Sequence, residues 1–365
     1  MDFPLLTLLE TAEDFRHLRG LRYPLWLLLL LLITGAMCGY WGARPMETFA
    51  QQYGGELCRQ LNRPVRSATP SDSTFRRVLE QCDFIVLTRI FRQWAAASVP
   101  LSEAEWVAID GKSIKGTMKD YASAQQNFVM MVSLFGHRRG FVYASEGMEN
   151  QHQSEQQVVQ QMLATLDLEG VLVTADALHC QKKRSPAYTS KKAYYLLTVK
   201  GNQPTLLNAL KQVSEHQEPL DCEQREDRSH GRWVYRRVSV YEVTGQDWAE
   251  SWPGLQRGLC VERWGYRERR PFAQTHYYIS NLDADAATFL KGLQGHWSIE
   301  NRLHWPKDVV LNEDRAPQRA ANTAANYSTI RNFFITAARR FNLDSIAQAK
   351  RFFANRLDQV LLSLQ

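Results

Sequence analysis

The strongest apolar run is Leu25 to Ile33, which reads LWLLLLLLI inside an uncharged stretch from Tyr23 to Ala43. Arg16, Arg19 and Arg22 precede it. The whole stretch is about long enough to cross a bilayer, whereas its strongly apolar part has the length of a buried core helix. The second half (Thr34, Gly35, Gly39, Tyr40, Trp41, Gly42) is weakly apolar. The pattern therefore favours a buried helix, with a membrane-anchored protein as the other reading. The rest of residues 1–100 also reads as helical. Asp14 to Leu21 is polar-amphipathic, Arg44–Pro45 ends the leucine-rich region, and Met46 to Leu61 is amphipathic. Ser71 is an N-cap for a helix through Ile90 that carries Arg76 and Arg77. Residues 96–105 read as a linker.

Strand and helix then alternate. Trp106 to Asp110 (WVAID), Asn127 to Phe135 and Gly140 to Glu146 are strand-like, the last two joined by the turn Gly136 to Gly140. Ser154 to Leu166 is helical, with Val158, Val159, Met162, Leu163 and Leu166 on one face. Val171 to Asp176 (VLVTAD) is a buried strand, Ala177 to Ser190 a polar, basic helix, Tyr194 to Val199 a further strand and Asn202 to Glu215 a helix. Hairpin strands are antiparallel, and strands joined by a crossover helix are parallel. The result is a mixed sheet in the order of a ribonuclease-H-like core. Residues 219–282 interrupt it with strands at Val234 to Val243, Leu259 to Tyr266 and Thr275 to Ser280. Helix returns at Asp285 to Trp305 and again beyond Pro317.

Composition narrows the class only modestly. Hydrophobic residues make up 44% and charged residues 22%, which excludes a mostly disordered or fibrous chain. The formal net charge of +6 permits a polyanionic partner without requiring one. The six cysteines form no C-x-x-C pair, so neither a zinc knuckle nor a dense disulfide framework is indicated. Free thiols in a reducing cytoplasm follow.

Three carboxylates stand where apolar elements would present them. Asp110 ends the first strand and Asp176 the fourth, and Glu300 lies on the helix HWSIEN. Carboxylates held at strand tips lose hydration unless something pairs with them. Mg²⁺ answers this with oxygen ligands and exchangeable waters. Two such ions about 3.5–4 Å apart support in-line phosphoryl displacement. On the same helix His296, Glu300 and His304 share a face, flanked by Asn301 and Asp308, while Ile299 and Leu303 form the adjacent packing stripe. Trp297 and Trp305 read as core.

These stretches resemble the DDE transposases of bacterial insertion sequences, of the H-repeat-associated type. The matching segments are VAIDGKSIKGT, VTADALHCQKK, LTVKGNQPTL, HGR, YYIS, HWSIENRLHW, DV at 308–309 and NEDRA, with PSDSTFRRVL and Asp14 to Gly39 resembling that family's accessory N-terminal domain. The resemblance covers nearly the whole chain. It implies that Asp110, Asp176 and Glu300 bind two Mg²⁺ ions, with Mn²⁺ able to substitute. It also implies cleavage at element ends, strand transfer into target DNA, and a homodimer on paired ends. The implied layout is a helical N-terminal domain (1–100), a first part of the ribonuclease-H-like core (101–218), a β-rich insertion (219–282), and core completion with the Glu helix and C-terminal helices (283–365). One departure stands out: Pro306-Lys307 replaces two apolar residues before Asp-Val. A proline there predicts a kink or break near Arg302 to Pro306. It is also the ground for the alternative, a domesticated and catalytically impaired DNA-binding relative. A plain nuclease with this core is a further alternative.

Basic and polar residues group around the carboxylates as expected DNA contacts. They are Lys112 and Lys115, His179, Lys182 and Lys183, Lys200 and Asn202, His230, Arg232 and Arg236, His296 and Asn301, Lys307 and Arg315. Neutralising phosphates in this way makes affinity fall steeply with salt.

Overall fold

Apolar periodicity in the first hundred residues yields helices, though not all where the sequence suggests. The computed structural model describes residues 3–17, 21–65, 68–118, 128–150, 153–182, 188–229, 232–267, 270–317 and 320–365. α1 is Pro4–Glu10. The helix expected at Asp14 to Leu21 is absent from the residues described there, because the polar groups bond one another: Arg16 reaches the Asp14 carboxylate at 2.6 Å and the Tyr23 carbonyl at 2.7 Å. The leucine run forms α2 (Leu25–Met37), buried at every residue but Trp26. Among the described residues no helix is long and apolar enough to cross a membrane. Arg44–Pro45 opens α3 (Ala43–Gln60), where proline's missing donor is harmless. The single helix expected from Ser71 to Ile90 is two, α4 (Asp72–Gln81) and α5 (Phe84–Ser98). Asp83 breaks it by accepting the Ile85 N–H at 2.9 Å, an N-cap the pattern did not show.

Among the described residues the sheet has nine strands, in the order β3-β2-β1-β4-β5-β9-β8-β7-β6 with strands numbered along the chain. β1 (Trp106–Ser113), β2 (Val129–Gly136) and β3 (Val142–Glu149) form an antiparallel meander. β4 (Leu172–Ala175) lies parallel to β1 and β5 (Tyr194–Val199) parallel to β4, as expected of a ribonuclease-H-like core. α6 (Glu155–Thr165) precedes β4, held by a capping box between Ser154 and Gln157. After β4 the stretch expected as a basic helix from Ala177 to Ser190 opens with a 3₁₀ turn, Ala177–His179; residues 183–187 lie outside the described residues. α7 (Pro204–His216) follows β5.

The β-rich segment extends this sheet. β6 (Asp221–Ser229), too polar to be read from its pattern, leads into β7 (Arg232–Glu242), β8 (Arg257–Arg267) and β9 (Arg270–Ser280). β9 returns antiparallel to β5, so the outer strands continue the core. One face of them, with Val238, Val240, Leu259 and Val261, packs on Phe289 and Leu290 of α8 (Ala286–His296). Beyond α8 the chain stays helical but widens into two π turns, Glu300–His304 and Pro306–Val310. The N–H of Trp305 reaches back five residues to the Glu300 carbonyl, and that of Leu311 to Pro306. In an α-helix the Pro306 ring would strike the carbonyl four residues back. The wider turn relieves that clash, so the expected break appears as π-widening. α9 (Thr323–Arg340), α10 (Ile346–Phe353) and α11 (Leu357–Leu364) complete the chain, sharing one hydrophobic core with α1–α5 and the sheet.

Two sets of contacts fix the π-widened segment against the sheet. Arg302 donates to the carbonyls of His137 and Arg138 in the β2–β3 turn, at 2.9 and 3.0 Å. On the other side, Lys112 of β1 is an ion-pair partner of Asp308 at 2.8 Å, Glu313 at 3.2 Å and Asp314 at 3.4 Å. Glu313 is 1% exposed and also faces Lys307 at 3.4 Å and Arg331 at 3.9 Å. Burial pushes the Glu313 carboxyl up, but Lys307, Arg331 and Lys112 outweigh it and hold it down at about 2. Glu313→Gln strands buried cations and is expected to destabilise the protein by about 3–5 kcal/mol at neutral pH. A carboxyl with a depressed folded pKa contributes its stability above the ordinary value of 4.5 and loses it as pH falls toward 2. In urea unfolding, the gap between wild type and variant should therefore close across that window; a gap that ignores pH would refute this electrostatic role.

Candidate active site

Parallel pairing brings the first two carboxylates together. Ile109 of β1 is in register with Ala175 of β4, so Asp110 and Asp176 follow side by side where the β1–β4 pairing ends; Asp176 caps β4, but Asp110 does not end its strand as expected, since β1 runs on to Ser113 against β2. Gly111 allows a close approach behind them: a Cβ there would lie 2.8 Å from the Glu155 carboxyl carbon. Glu300 enters from the first π turn. His304, 4% exposed, spans the gap: its Nδ1 lies 3.1 Å from Glu300 and 3.6 Å from Asp110. One ligand atom from each of Asp110, Glu300 and His304 falls within 4.8 Å of the others. Asp176 lines the same cleft but stands outside this close group, its Oδ1 3.0 Å from Lys200 Nζ.

The three carboxyls are electrostatically unequal. Burial raises that of Asp110, against the His304 charge and the Gly111 N–H, while Glu155 and Glu300 add to the rise. Glu300 is lowered by its hydrogen bond with His304 despite partial burial. At Asp176 burial acts upward, but the Ala177 N–H and Lys200 prevail and lower it. Half-exposed, mutually repelling carboxylates with an imidazole beside them form a donor set that suits a divalent cation. The cleft, of about 440 Å³, is closed on its far side by Arg263, Gln274, His276 and Tyr278 of the outer strands. His296 lines it too, its Nδ1 2.9 Å from Thr174 Oγ1, and burial drops its pKa to about 4. It therefore faces the cleft as a neutral ring.

The residues expected to meet DNA divide into two groups. Lys115, Lys182, Lys200, Asn202 and Arg315 are exposed, although Lys115 pairs with Asp314 at 2.9 Å and Asn202 donates to the Ala177 carbonyl at 2.7 Å. Arg236 is half-buried on β7 and 3.4 Å from Asp227. Asn301 is exposed but lines a second hollow with Arg138, Arg302 and Trp305. Lys183 and His230 lie outside the described residues, as does the side chain of Arg232 on β7.

Three expected contacts are corrected, because their polar ends are turned inward. Lys112 is enclosed by carboxylates, Lys307 is 2% exposed and bonds Ser328 Oγ at 2.8 Å, and His179 is 2% exposed with Nε2 3.0 Å from Glu155. The reverse holds for Trp297 and Trp305, which are 59% and 53% exposed, because Ile299 and Leu303 take the core face of the helix. His304 was readable from its spacing to Glu300, but its role as a bridge was not. Nothing in the local sequence marks Glu155, which comes near Asp110 only through the packing of α6.

Comparison with known proteins agrees with this geometry. The family described as Transposase DDE domain matches residues 102–335, and one described as DDE_Tnp_1-associated matches residues 6–95. A protein named "Putative transposase YncI" from Escherichia coli O157:H7 is 30% identical over 92% of this chain and 87% of its own. "H repeat-associated putative transposase YhhI" from Escherichia coli K12 is 27% identical over 90% and 88%. The ribonuclease-H-like sheet, the acidic cleft at its end and these matches agree: the chain belongs to the Transposase DDE domain family.

Proposed function

We propose that this transposase cuts a phosphodiester at each end of a mobile element and joins the freed end to target DNA, using Asp110, Asp176 and Glu300. The observation that carries the reading is the meeting of Asp110 and Glu300, remote in sequence, on either side of His304. Asp110, Asp176 and Glu300 would hold two divalent ions. Bound there, Mg²⁺ or Mn²⁺ supplies Lewis-acid stabilisation of the phosphoryl charge and lowers the pKa of an attacking water. In the first reaction water attacks phosphorus, the P–O3′ bond breaks, and a 3′-hydroxyl and a 5′-phosphate result. In the second, that 3′-oxygen attacks a target phosphodiester and a target 3′-oxygen leaves.

The chain's own groups bind and orient. His304 fixes the Glu300 carboxylate toward Asp110, acting as a positioning residue. Lys200 lines the acidic cleft, and with the exposed Lys115, Lys182 and Arg315 it is suited to DNA phosphates. A homodimer would let two such sites act on paired ends. Pro306-Lys307 is accommodated by the π turn and by Ser328 and Glu313, which removes the ground for reading the chain as impaired.

The decisive measurement is nicking of DNA carrying the element's terminal repeats, with Mg²⁺ or Mn²⁺ present. Asp110→Asn should abolish cleavage and leave binding of the ends largely intact; cleavage at the wild-type rate would end the proposal. His304→Ala should lower metal affinity or cleavage by roughly 10–100-fold, the usual effect of losing a group that orients a ligand. Unchanged metal dependence in that variant would remove His304 from the site.

A further inference from the structure

The acidic cleft offers two places for positive charge, and one already holds an ammonium of the chain itself. Asp110, Glu300 and His304 converge within 4.8 Å, while Asp176 faces Lys200, whose Nζ lies 3.0 and 3.3 Å from its two oxygens. The loop after β5 imposes this position. Gln203 N–H closes a turn on the Lys200 carbonyl at 3.0 Å. Asn202 Nδ2 donates to the Ala177 carbonyl at 2.7 Å, and Gln203 Nε2 to that of Cys180 at 3.1 Å. Two anchors thus tie Lys-Gly-Asn-Gln to the turn that begins at Asp176. The ion pair itself is roughly half-exposed on both sides and hence easily exchanged.

We propose that Lys200 is a resident countercharge at the second cation position. It neutralises Asp176 in the DNA-free protein and releases it when a DNA phosphate draws the ammonium away, so that loading of the second divalent ion is coupled to DNA binding. The idea rests on the two-ion reading above. Among the described residues no ammonium pairs with Asp110 or Glu300, and this first position is open to an ion without DNA. At the second, an ion must displace Lys200 while Arg263 lines the same cleft. A phosphate entering the cleft supplies a new partner for Lys200 and leaves the Asp176 carboxylate unopposed. Linkage makes the effect reciprocal: DNA tightens the second ion by the factor by which that ion tightens DNA.

The test is a titration of the full-length, DNA-free protein with Mn²⁺, following loss of the free-ion electron paramagnetic resonance signal. Wild type should take up one ion tightly and a second weakly. Lys200→Gln and Lys200→Ala, changes at a half-exposed position, should tighten the second ion by roughly fivefold or more. Lys200→Arg should resemble wild type, and Asp176→Asn combined with Lys200→Gln should lose the second ion alone. Identical titrations for wild type and Lys200→Gln, or two equally tight ions in wild type, overturn the inference and leave the metal reading standing. A wild-type protein that binds no Mn²⁺, with or without DNA, refutes the metal reading itself.

Discussion

One largely enclosed ammonium ties the candidate site together. Lys112 stands two residues after Asp110 on β1, and its charge is met by Asp308, Glu313 and Asp314, all from the segment that follows Glu300. An uncompensated charge in that position would be prohibitive, so the strand and the late segment must dock together or not at all. Arg302 clamps the same segment to the opposite side through the β2–β3 turn. Between these two ties the helix has little freedom to slide. Glu300 is therefore presented to Asp110 by packing and charge, before any ligand arrives.

Within that frame the π turns set where individual side chains fall. Widening at Glu300–His304 keeps the imidazole beside the carboxylate, and widening at Pro306–Val310 admits a proline where a regular helix would not. The outer strands serve the same end from the opposite wall. They carry α8 on one face and close the cleft with Arg263, Gln274 and His276, so the inserted sequence is structurally part of the site.

Much of this was legible in the sequence. The position of Asp176 at the tip of β4 and the apolar stripe of Ile299 and Leu303 follow from periodicity, because burial is what periodicity reports, whereas Asp110, expected to end its strand, lies inside β1, whose polar continuation to Ser113 is held by pairing with β2. Charge is harder to read. Lys112, His179 and Lys307 look like surface cations, and only the folded chain reveals the acids that draw them inside. The two tryptophans err in the opposite direction, since size alone does not say which helical face is covered. β6 escaped notice because its residues are nearly all polar and its strand is defined by pairing with β7.

The leucine-rich helix has an implication for synthesis of the chain. α2 is sealed partly by α9 and α11, and the Trp94 indole nitrogen donates to the carbonyl of Leu364. A ribosome therefore releases the oiliest stretch of the polypeptide long before its cover has been translated. Until then the nascent chain presents a greasy segment preceded by arginines, the very features that attract holdase chaperones and membrane-insertion machinery. Copies of the gene shortened at the 3′ end would keep the cover given by α1, α3 and α4 but leave uncovered the part of that segment that α9 and α11 seal.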